Sequence, residues 1–219
     1  MPSKAQDSFI KQSEDIDRLI EIHKDIGGNT RGRRYGVEVL NKSAIVLITA
    51  CWEAFCEDLA AEALEHLVDT LLDPTKLPKS LKTRIAKELK EDKNNLAVWS
   101  LAESGWRSFA KARLKKINEE RNWKHNSPKA GNIDDLFNLA IGLPSVSSTW
   151  NWSSMSIKNA KDKLNRYVKI RGSIAHRGGE DVYTKRQVLD YHNHIKKLAS
   201  KTDSTVNEYV KKHTTKSLW

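Results

Sequence analysis

The chain has 219 residues, of which 38% are hydrophobic and 30% are charged, with 5 prolines and 10 glycines. This composition supplies enough apolar side chains for a folded core, so it excludes a disordered chain, and the scarcity of proline and glycine disfavours an all-β fold with many turns. The formal net charge of +10 predicts a polyanionic partner, either nucleic acid or an anionic membrane surface, unless the basic surface serves solubility alone.

The first half of the chain predicts three helices before a basic, tryptophan-containing region at 96–127. The second of them is apolar on every side from Ala44 to Ile48, so we expect it to be the buried central helix. Asp73-Pro74 ends this helix, because the residue before a proline disfavours the helical conformation. The three predicted helices cover residues 5–26, 36–72 and about 78–90.

The second half predicts three more helices around a loop rich in serine and tryptophan. Asn132, Ser156 and Thr184 are residue types that favour a helix N-terminus. Thr184 is followed three residues later by Gln187, the spacing of a capping box. No segment of the sequence predicts a strand, so the fold class is all-α. These helices cover about 132–141, 156–175 and 185–212.

The cysteines and the apolar runs indicate the compartment. Cys51 and Cys56 lie five residues apart on a predicted helix and point in different directions, so we expect two buried free thiols in a reducing environment. The N-terminus lacks the apolar stretch of a signal peptide, and the longest apolar run, 44–52, is far shorter than the roughly 20 residues that span a bilayer. We therefore expect a cytoplasmic protein without a membrane partner.

The segment 171–179, RGSIAHRGG, contains an arginine and a histidine at R-x4-H spacing. The pattern alone decides nothing, because 18–23 also fits it and 186–192 fits a looser spacing. Those two lie inside predicted helices. Arg171 and His176 instead lie at a predicted helix end, with small residues between them and glycines after them, which leaves room for a substrate backbone. A purely structural interpretation is that both side chains favour a helix C-terminus through the helix dipole.

The motif resembles the R-x4-6-H signature of the HEPN superfamily of helical-bundle ribonucleases. Residues 41–60, NKSAIVLITACWEAFCEDLA, resemble the long second helix of its RiboL-PSP-HEPN branch, where an apolar stretch leads into a W-E-x-[FY] element. The Trp-Asn-Trp loop at 150–152 and the Lys-Thr-Asp sequence at 201–203 are also similar to that branch. The resemblance covers about 36–213.

The resemblance implies a HEPN-like up-and-down helical bundle over 36–219, with the helix and basic loop of 1–35 packing on the bundle or extending it. It also implies a homodimeric endoribonuclease in which two motifs face one cleft, acting as a toxin or antiviral effector under an antitoxin or another regulatory partner protein. Gly172 departs from the polar residue, such as Asn, that follows the motif arginine in many members. Gly178 stands where related toxins carry a modified tyrosine, so AMPylation at that position is not supported. A non-catalytic module that binds nucleic acid or protein therefore stays open as an alternative.

The residue types suit RNA cleavage by the 2′-OH of the substrate itself. Histidine titrates near neutrality, so His176 is the predicted acid/base, and Arg171 is the predicted clamp for phosphate charge. Arg177 and Ser173 are predicted to position the substrate. Glu53 follows a tryptophan on an otherwise buried helix, so it is predicted to hold the histidine or the arginine unless it faces solvent. This chemistry needs no metal, and we expect no cofactor.

The basic stretch 111–125 is a second candidate for RNA contact. Lys115 and Lys116 can neutralise phosphates, and Trp123 can stack on an unpaired base. The alternative is a solvated helical face with the tryptophan in a minor core. A basic helical scaffold without any role in nucleic-acid binding is the third interpretation of the whole chain.

Overall fold

The structure, a computed structural model, describes residues 2–27, 37–123, 127–177 and 182–219, with side chains described except at 23–27, 121–123, 176 and 177. Within these ranges the backbone forms α-helices and short 3-10 helices, which confirms the predicted all-α class. The 3-10 helices are Pro74–Lys76, Ala97–Leu101 and Val146–Thr149. The α-helices are α1 (Lys4–Gly27), α2 (Glu38–Thr70), α3 (Lys79–Glu91), α4 (Gly105–Trp123), α5 (Ala130–Ile141), α6 (Ile157–Arg177) and α7 (Lys185–Thr214).

Helix α2 is the buried centre of the bundle, as its apolar sequence predicted. It contacts α1, α4, α5, α6 and α7. Trp52 and Leu59 are fully buried, and Phe55 is nearly so. The Trp52 ring meets the edge of the equally buried Trp150 ring, with 5.8 Å between centroids. Because burying one side chain of this size contributes about 1.5–3 kcal/mol, the packing around α2 dominates the stability of the fold.

Contacts along α2 give the direction of α7. Asn41 Nδ2 donates to the carbonyl oxygen of Tyr183 (2.6 Å) near the start of both helices. Eight residues further along each chain segment, the hydroxyl groups of Thr49 and Tyr191 lie 3.0 Å apart. The two helices therefore run parallel.

Helix α6 runs antiparallel to α7. The Tyr167 ring stacks on Tyr191, with 4.0 Å between centroids and 8° between planes. Earlier on α6 and later on α7, His194 Nε2 donates to the carbonyl oxygen of Ala160 (3.1 Å). The C-terminal end of α6 consequently lies at the end of the bundle where α2 and α7 begin.

Helix α1 packs antiparallel on α2. The Phe9 and Phe55 rings lie 5.5 Å apart. The Glu62 carboxylate accepts hydrogen bonds from the first two backbone N–H groups of α1 (3.1 and 3.0 Å), where the helix dipole favours negative charge. Ser3 Oγ donates to the Asp203 carboxylate, and burial raises the pKa of that carboxyl to about 6. The N-terminal helix is thus fastened to both α2 and α7.

One predicted helix start is confirmed in detail and one differs. Thr184 and Gln187 form the predicted capping box at the start of α7. Helix α5 begins at Ala130, two residues before the predicted start at Asn132. The reason is local, because the Asn132 side chain donates to the carbonyl oxygen of Ser127 (2.7 Å) rather than capping the helix.

Two further expectations concern thiols and membranes. Cys51 and Cys56 are buried and are not joined in a disulfide bond, as predicted, and burial raises the pKa of the Cys51 thiol. Among the helices in the described part of the chain, none combines the length and the apolar character needed to cross a bilayer.

Candidate active site

The motif lies on α6, which is amphipathic and strongly basic. The Ser156 hydroxyl accepts a hydrogen bond from the Asn159 backbone N–H (3.2 Å), which is the predicted cap. Buried residues recur every three or four positions from Ala160 to Val168 and pack on the core. The helix carries seven Lys or Arg residues and one Asp. One face is therefore fixed to the bundle and the other is a basic surface.

Arg171 lies one turn after Tyr167 on the face of α6 that meets the bundle, and it is half-buried. Burial raises the pKa of the neighbouring Tyr191 hydroxyl, and the positive charge of Arg171 acts against that rise. The Nε atom of Arg171 is enclosed without a hydrogen-bond partner. An enclosed N–H without a partner costs on the order of 1–3 kcal/mol.

Two stacked tyrosines form the packing beneath this arginine. Thr49 Oγ1 donates its only hydrogen to the carbonyl oxygen of Ile45 (2.9 Å). It must therefore accept from the Tyr191 hydroxyl, 3.0 Å away. The Tyr167 hydroxyl donates to the carbonyl oxygen of Gln187 (3.0 Å). Because both hydroxyl groups have partners, the pair fixes α6 against α2 and α7.

The backbone of α6 continues through His176 and Arg177. Their side chains, and the glycine pair after them, lie outside the described residues, so the roles predicted for both rest on backbone position. At 3.6 residues per turn, position 176 lies two turns after Lys169 and on the same stripe of α6 as the exposed Ser173. A Cβ built on Gly172 would meet nothing within 4 Å. The helix surface next to the motif is therefore open.

Glu53 is half-buried on α2, one turn beyond Thr49. Because α6 runs in the opposite direction, Arg171 lies about one turn on the other side of the contact between Thr49 and Tyr191. A rise of ~1.5 Å per residue puts the two backbone positions about 12 Å apart along the bundle. Within one chain the fold does not bring them together, and the site role of Glu53 stays a prediction.

Lys115 and Lys116 are exposed on α4, which runs antiparallel to α2. The direction follows from two contacts, because Arg107 donates to the Leu71 carbonyl oxygen (2.7 Å) and the later Lys111 Nζ lies 3.3 Å from the carboxylate of the earlier Glu65. Lys115 lines a groove that also includes Glu65. Lys115 therefore lies among carboxylates, and both lysines lie on a part of the bundle remote from the end of α6. The Trp123 side chain lies outside the described residues.

A basic cleft that sequence reasoning did not predict lies between α6 and the start of α5. It has a volume of about 330 Å³, and its lining consists of Lys129, Asp162, Asn165, Arg166 and Lys169. The spacing of the two α6 cations indicates a basic stripe, but only the fold brings the third cation from another helix. We name these five residues the α5–α6 cleft.

The two buried histidines of α7 have structural surroundings. His194 donates to the Ala160 carbonyl oxygen, and His192 Nδ1 lies 3.4 Å from an Asp17 carboxylate oxygen. Burial lowers the pKa of each histidine to about 4. At His192 the Lys196 charge also lowers the pKa, and both effects outweigh Asp17, whose carboxylate is 53% exposed and screened by water. In the described part of the chain, no group of three or more His, Cys, Asp or Glu residues could hold a metal ion.

The fold and the motif define a class first: an all-α bundle whose basic helix ends in an arginine and a histidine at R-x4-H spacing. The sequence model of the RiboL-PSP-HEPN family matches residues 11–208, beginning inside α1. The chain belongs to this family, and membership points to a nuclease or RNA-related function. Comparison with curated proteins and with solved structures gave no match.

Proposed function

We propose that the protein is a metal-independent endoribonuclease whose site is the motif at the end of α6, shared between two copies of the chain. The observation that carries the proposal is the placement of the half-buried Arg171 beside the Tyr191 hydroxyl, one and a half turns before His176 on the helix with seven cations. Family membership supports the same substrate class.

The reaction needs no bound group beyond the two side chains. A base takes the proton of the 2′-OH, and that oxygen attacks the adjacent phosphorus. The bond to the 5′-oxygen breaks, and that oxygen leaves with a proton from an acid. The products are a 2′,3′-cyclic phosphate and a 5′-hydroxyl. His176 is assigned the proton transfers, Arg171 the negative charge that builds on phosphorus, and Arg177 and Ser173 the positioning of the strand.

The motif of one chain supplies a single arginine and a single histidine, so a second copy is expected to complete the site. A two-fold interface brings a surface against its own duplicate, and two motifs would then give two histidines and two arginines in one cleft. The proposed partners are therefore RNA and a second copy of the chain. If the protein acts as a toxin or antiviral effector, an antitoxin or another regulatory protein is a further proposed partner.

Cleavage of end-labelled RNA in EDTA tests the proposal. Wild-type protein should release 2′,3′-cyclic phosphate ends, and H176A or R171A should lose the cleavage. The matched control is R18A, which removes one exposed arginine from the other R-x4-H pattern, inside α1, and should cleave as wild type does. Full activity in either motif variant would end the assignment.

Mixing the two inactive variants tests the shared site. Heterodimers of H176A and R171A subunits keep one arginine and one histidine, from different copies. Partial recovery of cleavage in the mixture, with none in either homodimer, is the expected result. Recovery is impossible if each chain acts alone, so an inactive mixture of proven heterodimers would contradict the shared site.

The second candidate is a non-catalytic module that binds a partner protein, and an apolar groove favours it. The groove, about 450 Å³, lies between α3, the 3-10 helix Ala97–Leu101 and the start of α4, with Ile85 and Trp106 among its lining. Lys82 and Lys90 are its charged lining residues, and all its lining lies in the described part of the chain. Trp99 beside it is 71% exposed. An acidic amphipathic segment of a partner protein matches this surface.

The two candidates predict opposite results in the RNA assay. Retardation of RNA without cleavage, together with binding of an acidic amphipathic peptide that is lost in K82E/K90E, would favour the module. Cleavage by wild type and indifference to such a peptide would exclude it. A peptide with the charges reversed is the control for binding by apolar contact alone.

A further inference from the structure

We propose that the α5–α6 cleft is a binding site for phosphates of the RNA strand that flank the cleaved bond. This inference rests on the proposed function for its substrate, and it assigns contacts that the motif does not supply. The cleft carries the cations Lys129, Arg166 and Lys169 against one carboxylate, Asp162. Its net positive charge and its opening to solvent suit a phosphodiester backbone.

Among the residues that the structure describes, no cation of the cleft forms an ion pair, in contrast to Lys161 and Lys163 on α6. Lys161 forms an ion pair with Asp134 (3.9 Å), and Lys163 forms one with Asp190 (2.7 Å). Arg166 and Lys169 are exposed and, over the described residues, form no ion pair. A cation already paired with a carboxylate gains little from a phosphate, whereas an unpaired one releases the counterions of the strand.

The cleft has fixed walls. The Asn165 side chain accepts a hydrogen bond from the Ala130 backbone N–H (3.0 Å), which ties α6 to the start of α5. The Arg166 guanidinium lies 5.3 Å from the centroid of the Tyr167 ring, within the range of a cation–π contact. Because Tyr167 belongs to the fixed tyrosine pair, this contact limits the freedom of the arginine before any ligand arrives.

Helical register connects the cleft to the motif. Lys169 precedes position 176 by seven residues and Arg166 precedes it by ten, which at ~1.5 Å per residue is about 10.5 and 15 Å along α6. Ser173 continues the same exposed stripe between them. A strand whose scissile phosphate lies at the motif would therefore pass its neighbouring phosphates over the cleft. A surface that selected a single anion would need no such continuity.

Binding of a labelled single-stranded RNA to the H176A protein, which does not consume its ligand, measures the contribution. R166Q/K169Q should weaken binding, and the slope of log K against log salt should fall by about 0.7 per lost contact. If the two proteins bind equally at 1 M salt, a difference of about 0.7 in slope makes the variant bind about 8-fold more weakly at 50 mM salt for each lost contact. The matched control is K201Q/K211Q, which removes the same charge from exposed positions of α7 and should leave binding within a small fraction of that loss.

Neutral methylphosphonate linkages, introduced one at a time along the RNA, locate the contact. Linkages that face the cleft should weaken binding to the H176A protein, and the same linkages should have no further effect on H176A/R166Q/K169Q. Lack of any linkage whose effect depends on these two side chains would overturn the inference. Equal losses in R166Q/K169Q and in K201Q/K211Q would also overturn it, because they would show a general effect of net charge.

The failure of this inference is distinguishable from that of the proposed function. Cleavage by wild type, with kcat/KM unchanged in R166Q/K169Q, would refute the proposed role of the cleft and support the proposed nuclease activity. RNA binding that depends on the cleft, without cleavage by wild type, would support the proposed role of the cleft and refute the proposed nuclease activity. Binding of phosphate-bearing vesicles, but not of RNA, through the same residues would refute the assignment to a nucleic-acid strand.

Discussion

The hydrogen bond between Thr49 and Tyr191 should show strong coupling when both residues are changed. In Y191F, Thr49 keeps its bond to the Ile45 carbonyl oxygen, so only one net hydrogen bond is lost, worth about 1 kcal/mol. In T49V, the Tyr191 hydroxyl stays buried without an acceptor, which costs about 2 kcal/mol. The double variant removes both polar groups and should cost about 1 kcal/mol rather than about 3, a coupling of about 2 kcal/mol.

Urea denaturation followed by circular dichroism measures these free energies, provided that the slope m is the same in all variants. Y209F is the matched control, because the Tyr209 hydroxyl donates to the Ile141 carbonyl oxygen (3.3 Å) at the other end of the bundle. Its cost should add to that of T49V without coupling. Additive costs for T49V and Y191F would refute the hydrogen bond between the two side chains.

The same pair tests how Arg171 is supported. The phenyl ring of Y191F still stacks on Tyr167, so the packing beneath the guanidinium persists and RNA cleavage should persist with it. A stable Y191F that had lost cleavage would show that the hydroxyl itself acts on the substrate, contrary to its assignment as a packing contact.

Three further variants test other parts of the argument. G172A should raise the free energy of unfolding by roughly 0.5–1 kcal/mol, since a Cβ there meets open space and alanine favours the helix; a lower urea midpoint would contradict this. The buried histidines His192 and His194 have a pKa of about 4, below the 6.5 of the unfolded chain, so unfolding takes up protons between these values and stability falls as pH drops from 6.5 to 4. Each histidine can account for at most about 3 kcal/mol of this loss in the free energy of unfolding. The urea midpoint of H192N/H194N should therefore fall less than that of wild type between pH 6.5 and pH 4. E53Q should keep wild-type cleavage because of its separation from Arg171, and a loss as large as that of R171A would restore the role predicted from the sequence.

Local patterns allowed much of the fold to be predicted. The apolar sequence of α2 predicts a central helix, and the capping box of α7 depends on residues three apart. Direction and pairing between helices were not predictable in this way. Glu53 shares a helix with the aromatic core, yet the opposed direction of α6 separates it from Arg171. Lys129 joins a basic cleft only because Asn165 fastens the start of α5 to α6.

The two motif positions lie on different sides of one helix, and this geometry is the strongest reason to expect a second chain at the site. Five residues turn the helix through about 140° and raise it about 7.5 Å. Arg171 lies on the face that meets the bundle, whereas position 176 lies on the exposed stripe with Ser173 and Lys169. A phosphate bound by Arg171 of one copy is therefore better reached by the histidine of a second copy than by the histidine of the same helix. Recovery of cleavage in the mixed heterodimer measures whether that surface belongs to a partner.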